Sequence, residues 1–299
     1  MHRKTLVLIE AAREVLIEYN PMTLRQVYYQ LVARQVIDNC RSEYQRLCNA
    51  LVKARQEELI PWEWLEDRVR QPQVVSMWQN LPDFLNTVKR AYRKDIWPSQ
   101  SRYVEVWLEK DALSGIFSDI TEEYGITLVV GRGYNSWSAY KEATERFEAQ
   151  DKPVKILYFG DFDPSGEDIV RALRDSLSFL GISEELREMY SGFGLSKELR
   201  DNADFFGTCP NIEKIALTPE DIAEYNLPPD FTKATDTRSK KFVQRYGDMA
   251  VELDALPVSV LREKIRTAIE ENLDLSKLGA IREIEKQEVQ RLAELIGRL

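Results

Sequence analysis

VKILYFGDFDPSGEDIV, residues 154–170, is where the chain declares its architecture. Val154 to Phe159 is rich in β-branched and aromatic residues and reads as a strand. Pro164 and Gly166 then turn the chain into a helix that continues as DIVRALRDSL. Between strand and helix stand Asp161 and Asp163, two residues apart. Working outward, RYVEVWLE (102–109), ITLVVG (126–131) and IEKIAL (212–217) carry the same strand signature, with helical stretches between them. Strands alternating with helices predict a parallel sheet covered on both faces. In such sheets ligands collect outside the carboxyl ends of the strands. Glu109 ends the first strand, so three acids distant in sequence, Glu109, Asp161 and Asp163, are expected to converge there. Clustered carboxylates repel one another unless a cation lies between them. Mg²⁺ suits such oxygen ligands and suits phosphate chemistry. The residues alone leave a second reading open, in which Asp163 only caps the helix that follows.

The first hundred residues read differently, as helices. Leu6, Ile9, Leu16 and Ile17 predict one face of a first helix, broken at Asn20-Pro21. Thr23 and Gln26 form a capping-box signature for a second helix, in which Leu24, Val27, Tyr28, Leu31 and Val32 follow the helical template. A third helix is expected from about Ser42, with Gln45 three residues on, Tyr44, Leu47 and Leu51 inward, and Pro61 as its stop. Three short helices followed by WEWLEDRVRQPQ suggest a helix-turn-helix with a strand-like wing, which sets one helix in the DNA major groove. The segment 76–100 reads as a connecting helix with a basic end, Lys89, Arg90, Arg93 and Lys94, and Pro98 marks a domain boundary. Helices are expected from Val258 to Leu299.

Charge follows the same division. The chain of 299 residues has a net charge of −9, yet residues 1–102 hold 16 basic against 12 acidic residues and the remainder 25 against 38. A basic face on an acidic protein is compatible with DNA; a mildly uneven solvated surface accounts for the same numbers. The single histidine, His2, leaves histidine triads, HExxH zinc sites and histidine general bases without residues. Cys40, Cys48 and Cys209 lack CxxC spacing, which argues against disulfides and zinc and for a reducing, cytoplasmic setting. Glu10, Arg13 and Glu14 interrupt the apolar start, so an amphipathic helix is expected there rather than a signal peptide. No apolar run approaches the roughly 18 residues of a membrane helix. Gly-rich nucleotide loops are missing, so intrinsic ATPase activity is not expected. The tryptophans read as packing.

VEVWLEKDAL, GRGYNSWSAY and YFGDFDPSG, in that order and spacing, resemble a Toprim domain. TLRQVYYQLV resembles the RxxYY motif of topoisomerase VI A subunits, and IALTPEDIAEYNLP and AVELDALP resemble the stretches that follow in them. The resemblance implies Glu109, Asp161 and Asp163 as ligands of Mg²⁺, with Mn²⁺ as an alternative. It implies Tyr29, the second tyrosine, as nucleophile. The helix pattern agrees, for Tyr28 lies on the apolar stripe while Tyr29 lies off it, with Arg25 one turn earlier on its side. A phenol with a pKa of about 10 is a weak nucleophile at neutral pH. A nearby guanidinium favours the phenolate and binds the attacked phosphate. On the residues alone, paired tyrosines on such a helix read as core packing.

The fold expected is α/β: an all-α, winged-helix N-terminal domain (1–100) with the tyrosine, a Toprim metal-binding domain (101–260) with helices flanking a parallel sheet, and a C-terminal helical segment (261–299). The activity implied is cleavage of double-stranded DNA by tyrosine transesterification, leaving a 5′-phosphotyrosyl link. A Toprim hydrolytic nuclease and a DNA-binding protein without turnover are the alternatives. In the family the tyrosine of one protomer works with the metal site of the other, which implies a homodimer. Full A subunits engage an ATPase B subunit through an N-terminal extension. Nothing here corresponds to it, so the short stand-alone mini-A relatives are the closer comparison and a B-type partner is the lesser expectation. Lys110 and Arg132 are further candidates for DNA phosphate; for Arg132 a simple turn is the equal alternative. Arg238, Lys240 and Lys241 read either as DNA contacts or as a solvated loop.

Overall fold

The computed structural model describes residues 3–65, 75–131, 133, 136–150, 152–181, 210–229, 239–247 and 249–297. Three helices come first: α1 (Arg3–Tyr19), α2 (Leu24–Ala33) and α3 (Arg41–Gln56). The capping box of α2 is formed as expected. Gln26 N donates to Thr23 Oγ1, and the Gln26 side chain accepts from Thr23 N at 2.7 Å. The face of α1 matches the expected one at Ile9 and Leu16 only. Leu8, Ile9, Ala12, Val15 and Leu16 are buried, while Leu6 and Ile17 are exposed. The 3.6-residue period carries Leu6 and Ile17 to the far side of the stripe that small Ala12 and Val15 complete. Helix α3 begins at Arg41, within a residue of the expected start. Its N-cap is Cys40, without a side-chain cap bond, rather than a Ser42–Gln45 pair. The Tyr28 hydroxyl donates to Asn39 Oδ1 at 3.0 Å, tying the loop before α3 to α2. Leu47 and Leu51 point inward, with Tyr44 half-buried. Of the expected wing, a short 3-10 turn at Trp62–Trp64 and an isolated bridge between Met22 and Leu65 are present; residues 66–74 lie outside the described residues.

The connecting helix is α4 (Leu81–Ala91), capped by Asn80. Beyond it come β1 (Tyr103–Leu108), α5 (Ser114–Tyr124), β2 (Thr127–Val130), α6 (Trp137–Glu148), β3 (Val154–Phe159), α7 (Pro164–Gly181) and β4 (Asn211–Ala216). Four helices finish the description: α8 (Pro219–Glu224), α9 (Ser239–Tyr246), α10 (Val258–Glu270) and α11 (Leu275–Ile296). The protein is thus N-terminal helices followed by a four-stranded parallel sheet, order β2-β1-β3-β4, flanked by helices.

Side-chain alternation divides the sheet into two faces. Val104, Val106, Leu108, Leu157 and Phe159 belong to one core with α5, α10 and, without interruption, the N-terminal helices. Trp107, Ile156, Tyr158 and Ile212 belong to a second core under α6 and α7. Glu105 is fully buried on the second face, where Arg146 Nε and Nη2 reach its two oxygens at 2.8 and 3.0 Å. The C-terminal helix α11 returns to the N-terminal half, with Lys94 Nζ 2.8 Å from Glu288 Oε1 and Lys94 N donating to Glu285. Among the described residues no helix is long and apolar enough to cross a membrane.

Candidate active site

The carboxyl edge of the sheet is extended by backbone bonds beyond the strands. Glu109 N donates to Phe159 O, and Gly160 N to Ala216 O. This sets Glu109 directly beside the Gly160–Asp161 peptide. Its Oε2 accepts from Asp161 N at 3.0 Å and from the Tyr158 hydroxyl at 3.4 Å. Gly160 makes that approach feasible, because a Cβ there would stand 2.4 Å from the same oxygen. Gly166 is required for a similar reason, since its Cβ would fall 2.3 Å from Asp161 O. The glycines flanking DFD are therefore packing requirements of the turn itself.

Each acid has a different partner. Asp161 Oδ1 accepts from Leu253 N at 2.7 Å and lies 3.0 Å from Lys110 Nζ. Asp163 Oδ1 accepts from Gly166 N at 2.6 Å, so the helix-capping reading of Asp163 holds. Among the described residues no three acid, thiol or imidazole groups are gathered closely enough to enclose a metal ion by themselves. The chemistry of the donors nonetheless suits a hard divalent cation. Burial, then the charges of Asp161 and Asp163, push the Glu109 carboxyl up to about 7. Burial raises Asp161 as well, against the opposing pull of Lys110 and Leu253 N. The site holds more negative charge than its own surroundings offset, and Asp254 Oδ1 is buried without a hydrogen-bond partner.

The bridge between Phe162 and Val251 brings in residues from far along the chain. Phe162 N donates to Val251 O and Val251 N to Phe162 O, both at 2.9 Å. Glu252 and Asp254 are thereby delivered to the edge. Lys110 Nζ lies 3.1 Å from Glu252 Oε2 and 2.7 Å from Asp254 Oδ2, in addition to Asp161. Burial works against its charge, but Asp254, Asp161 and Glu252 outweigh it and hold the ammonium above the ordinary lysine value. Lys110 is therefore an internal counter-ion here, rather than a side chain extended toward solvent for phosphate.

No known protein family and no curated protein matches the chain. Function must be read from the chemistry of the site. Glu252 reaches the N-terminal helices as well. Arg25 Nη1 lies 2.7 Å from Glu252 Oε2, and the Tyr29 side chain hydrogen-bonds the same carboxylate. Despite burial, Lys110, Arg25 and these hydrogen bonds hold Glu252 below the usual carboxylate range. Tyr29 is as buried as Tyr28, their rings edge-to-face with centroids 5.3 Å apart. Against the expectation that only Tyr28 is a core residue, Tyr29 belongs to the same buried core, and its side chain ends on Glu252 rather than in solvent.

Two contributions escaped the sequence. Glu252 and Asp254 sit in AVELDALP, whose alternating acids were the available signal. Lys214, on β4, bonds Asp161 O at 2.8 Å and Glu167 Oε1 at 2.6 Å beneath the turn; a lone lysine in a strand carries no signal of that role. Arg132 and Arg238 lie outside the described residues, as does the side chain of Lys241. Lys240 is exposed.

Proposed function

We propose that this protein is a metal-dependent DNA-cleaving transesterase of the topoisomerase VI A-subunit kind, with a winged-helix-type N-terminal unit and a Toprim-type sheet. The observation that carries this reading is the junction at Glu252. Through that one carboxylate and Lys110, Tyr29 and Arg25 meet the acids of the sheet edge. Core packing alone does not call for a tyrosine, an arginine and a buried lysine on a shared acid. The outer face of α3 adds support for a DNA ligand. Gln45, Arg46, Asn49, Lys53 and Gln56 are exposed along it, a polar and basic stripe suited to a major groove.

In the reaction the Tyr29 oxygen bonds to phosphorus as the bond from phosphorus to the 3′ oxygen breaks. The phenolic proton passes to Glu252, the carboxylate already bonded to it. The departing 3′ oxygen takes a proton from solvent, leaving a 3′ hydroxyl and a 5′-phosphotyrosyl link. Arg25, released from Glu252, holds the attacked phosphate. Glu109, Asp161 and Asp163 would hold Mg²⁺, or Mn²⁺ in its place, which supplies charge neutralisation at that phosphate. A second reading, hydrolysis by water at the same acids, is favoured by the burial of Tyr29 and its existing bond to Glu252.

End-labelled supercoiled DNA incubated with Mg²⁺ and quenched in denaturant separates the two. The transesterase reading expects label on a protein-linked species with wild type and none with Tyr29→Phe or Asp161→Asn. Free ends that persist in Tyr29→Phe would establish the hydrolytic nuclease. Salt-sensitive binding without cleavage would leave a DNA-binding protein.

A further inference from the structure

Lys214 is a charged residue on a covered face of the sheet. It shares that face with Ile212 and with Tyr158, its partner in register on β3. A bulge follows at once: Tyr158 pairs with Lys214 and Phe159 with Ala216, so Ile215 is an extra residue. The bulge turns both Ile215 and Ala216 to the opposite core. Ala216 O then meets Gly160 N, while Lys214 stays under α7 with its side chain 14% exposed. Bulges beside a site commonly re-aim a side chain in this way.

The Lys214 ammonium acts on one short stretch of chain. It donates to Asp161 O at 2.8 Å and to Glu167 Oε1 at 2.6 Å, and lies 5.6 Å from the centre of the Phe162 ring. Phe162 stands between the two aspartates, its ring packed on Phe242 and Tyr246 with centroids 5.1 and 5.0 Å away. The two peptides that flank Asp161 are held at all four of their polar atoms. Gly160 O accepts from Leu217 N, Asp161 N donates to Glu109, and Phe162 N donates to Val251 O. Lys214 holds the fourth, Asp161 O. The first three partners are main-chain atoms or Glu109 itself, so Lys214 is the one side chain brought to this turn from outside the acids.

Stability does not account for a lysine at this position. A buried ion pair stabilises no more than apolar residues of similar volume, because desolvation offsets its attraction. An apolar side chain there would not supply a charge-assisted donor to a carbonyl. Groups that bond to a metal ligand, rather than to the metal, fix how that ligand is presented.

We propose that Lys214 is a positioning residue of the cation site, which fixes the presentation of the Asp161 carboxylate by holding the Asp161 carbonyl. The proposal rests on the reading of Glu109, Asp161 and Asp163 as cation ligands.

Mn²⁺ alone, titrated into the full chain with the free ion counted by electron paramagnetic resonance, tests it. Charge and positioning differ in sign. One cation repels another, so if Lys214 acted by charge alone, Lys214→Met would tighten Mn²⁺ binding. Positioning expects Lys214→Met, folded by circular dichroism, to weaken binding by about tenfold or more. Lys214→Arg, which keeps a charged donor, recovers most of the affinity. Glu167→Gln breaks the ion pair but leaves the bond to the carbonyl, and stays within about threefold of wild type. Mn²⁺ binding by Lys214→Met as tight as wild type, or tighter, would overturn the proposal. So would Glu167→Gln weakening as far as Lys214→Met. Wild type that takes up no Mn²⁺, or no more than Asp161→Asn does, would remove the cation reading itself and the proposal with it.

Discussion

Lys110 carries three carboxylates on one ammonium: Asp161, Glu252 and Asp254. Removing one partner of a buried charge cluster leaves the others desolvated and unpaired. Lys110→Met is therefore expected to destabilise the fold by about 3 kcal/mol, read from urea unfolding. A loss below about 0.5 kcal/mol would mean that the cluster is solvated rather than interlocked. Glu109 behaves in the opposite sense. Its carboxyl, ordinarily near 4.5, titrates at about 7 because burial and then Asp161 and Asp163 disfavour its charge. The folded state binds this proton more tightly than the unfolded chain. Its contribution to stability is complete below about pH 4.5 and is lost as pH rises through about 7. Glu109→Gln should flatten that part of the stability profile, compared by urea midpoints at pH 5 and pH 8. An unchanged slope in the variant would assign the effect to another group. Glu109, Asp161 and Asp163 were legible because strand ends followed by acids have a fixed place in a parallel sheet. That Asp163 is committed to Gly166 N, and Lys110 to its three acids, was not legible, since both depend on where side chains point.

At the scale of elements, the four strands lie within about a residue of where β-branched runs and turn residues put them, and so does α2. Periodicity and caps act over a few neighbours, so a single sequence contains them. Of the expected α1 face, Ile9 and Leu16 are buried, while Leu6 and Ile17, just as apolar, are exposed. Hydropathy identifies a helix more reliably than it chooses between two overlapping stripes. Glu105 is a harder case, an acid in the middle of a fully buried strand. It is accommodated by both Arg146 nitrogens, by Trp107 Nε1 at 2.9 Å and by the Tyr103 hydroxyl at 3.1 Å. Burial and the Glu105 charge push Tyr103 up to about 12, so it remains a donor at neutral pH. Arg146→Met should cost about 3 kcal/mol by stranding Glu105, and Glu105→Gln in that background should recover part of the loss. If the double variant is no more stable than Arg146→Met, Glu105 does not depend on this ion pair.

For the whole molecule, the core matters more than the boundary marked by Pro98. Buried residues of α1, α2 and α3 run without a break into one face of the sheet and into α10. The Arg25–Glu252 pair and the return of α11 onto Lys94 tie the same halves together. One calorimetric unfolding transition is expected, and two well-separated transitions would show that the N-terminal helices form an independent unit. The sequence by itself determined the helical start, the strand–helix alternation, the parallel sheet and the positions of its acids. All of these follow from residue types at short spacing, where backbone geometry leaves few choices. Only the tertiary structure decided that Tyr29 and Arg25 end on Glu252, more than two hundred residues away. The bridge between Phe162 and Val251 makes that contact. A meeting of such distant segments depends on the packing of the whole core, and no local pattern encodes it.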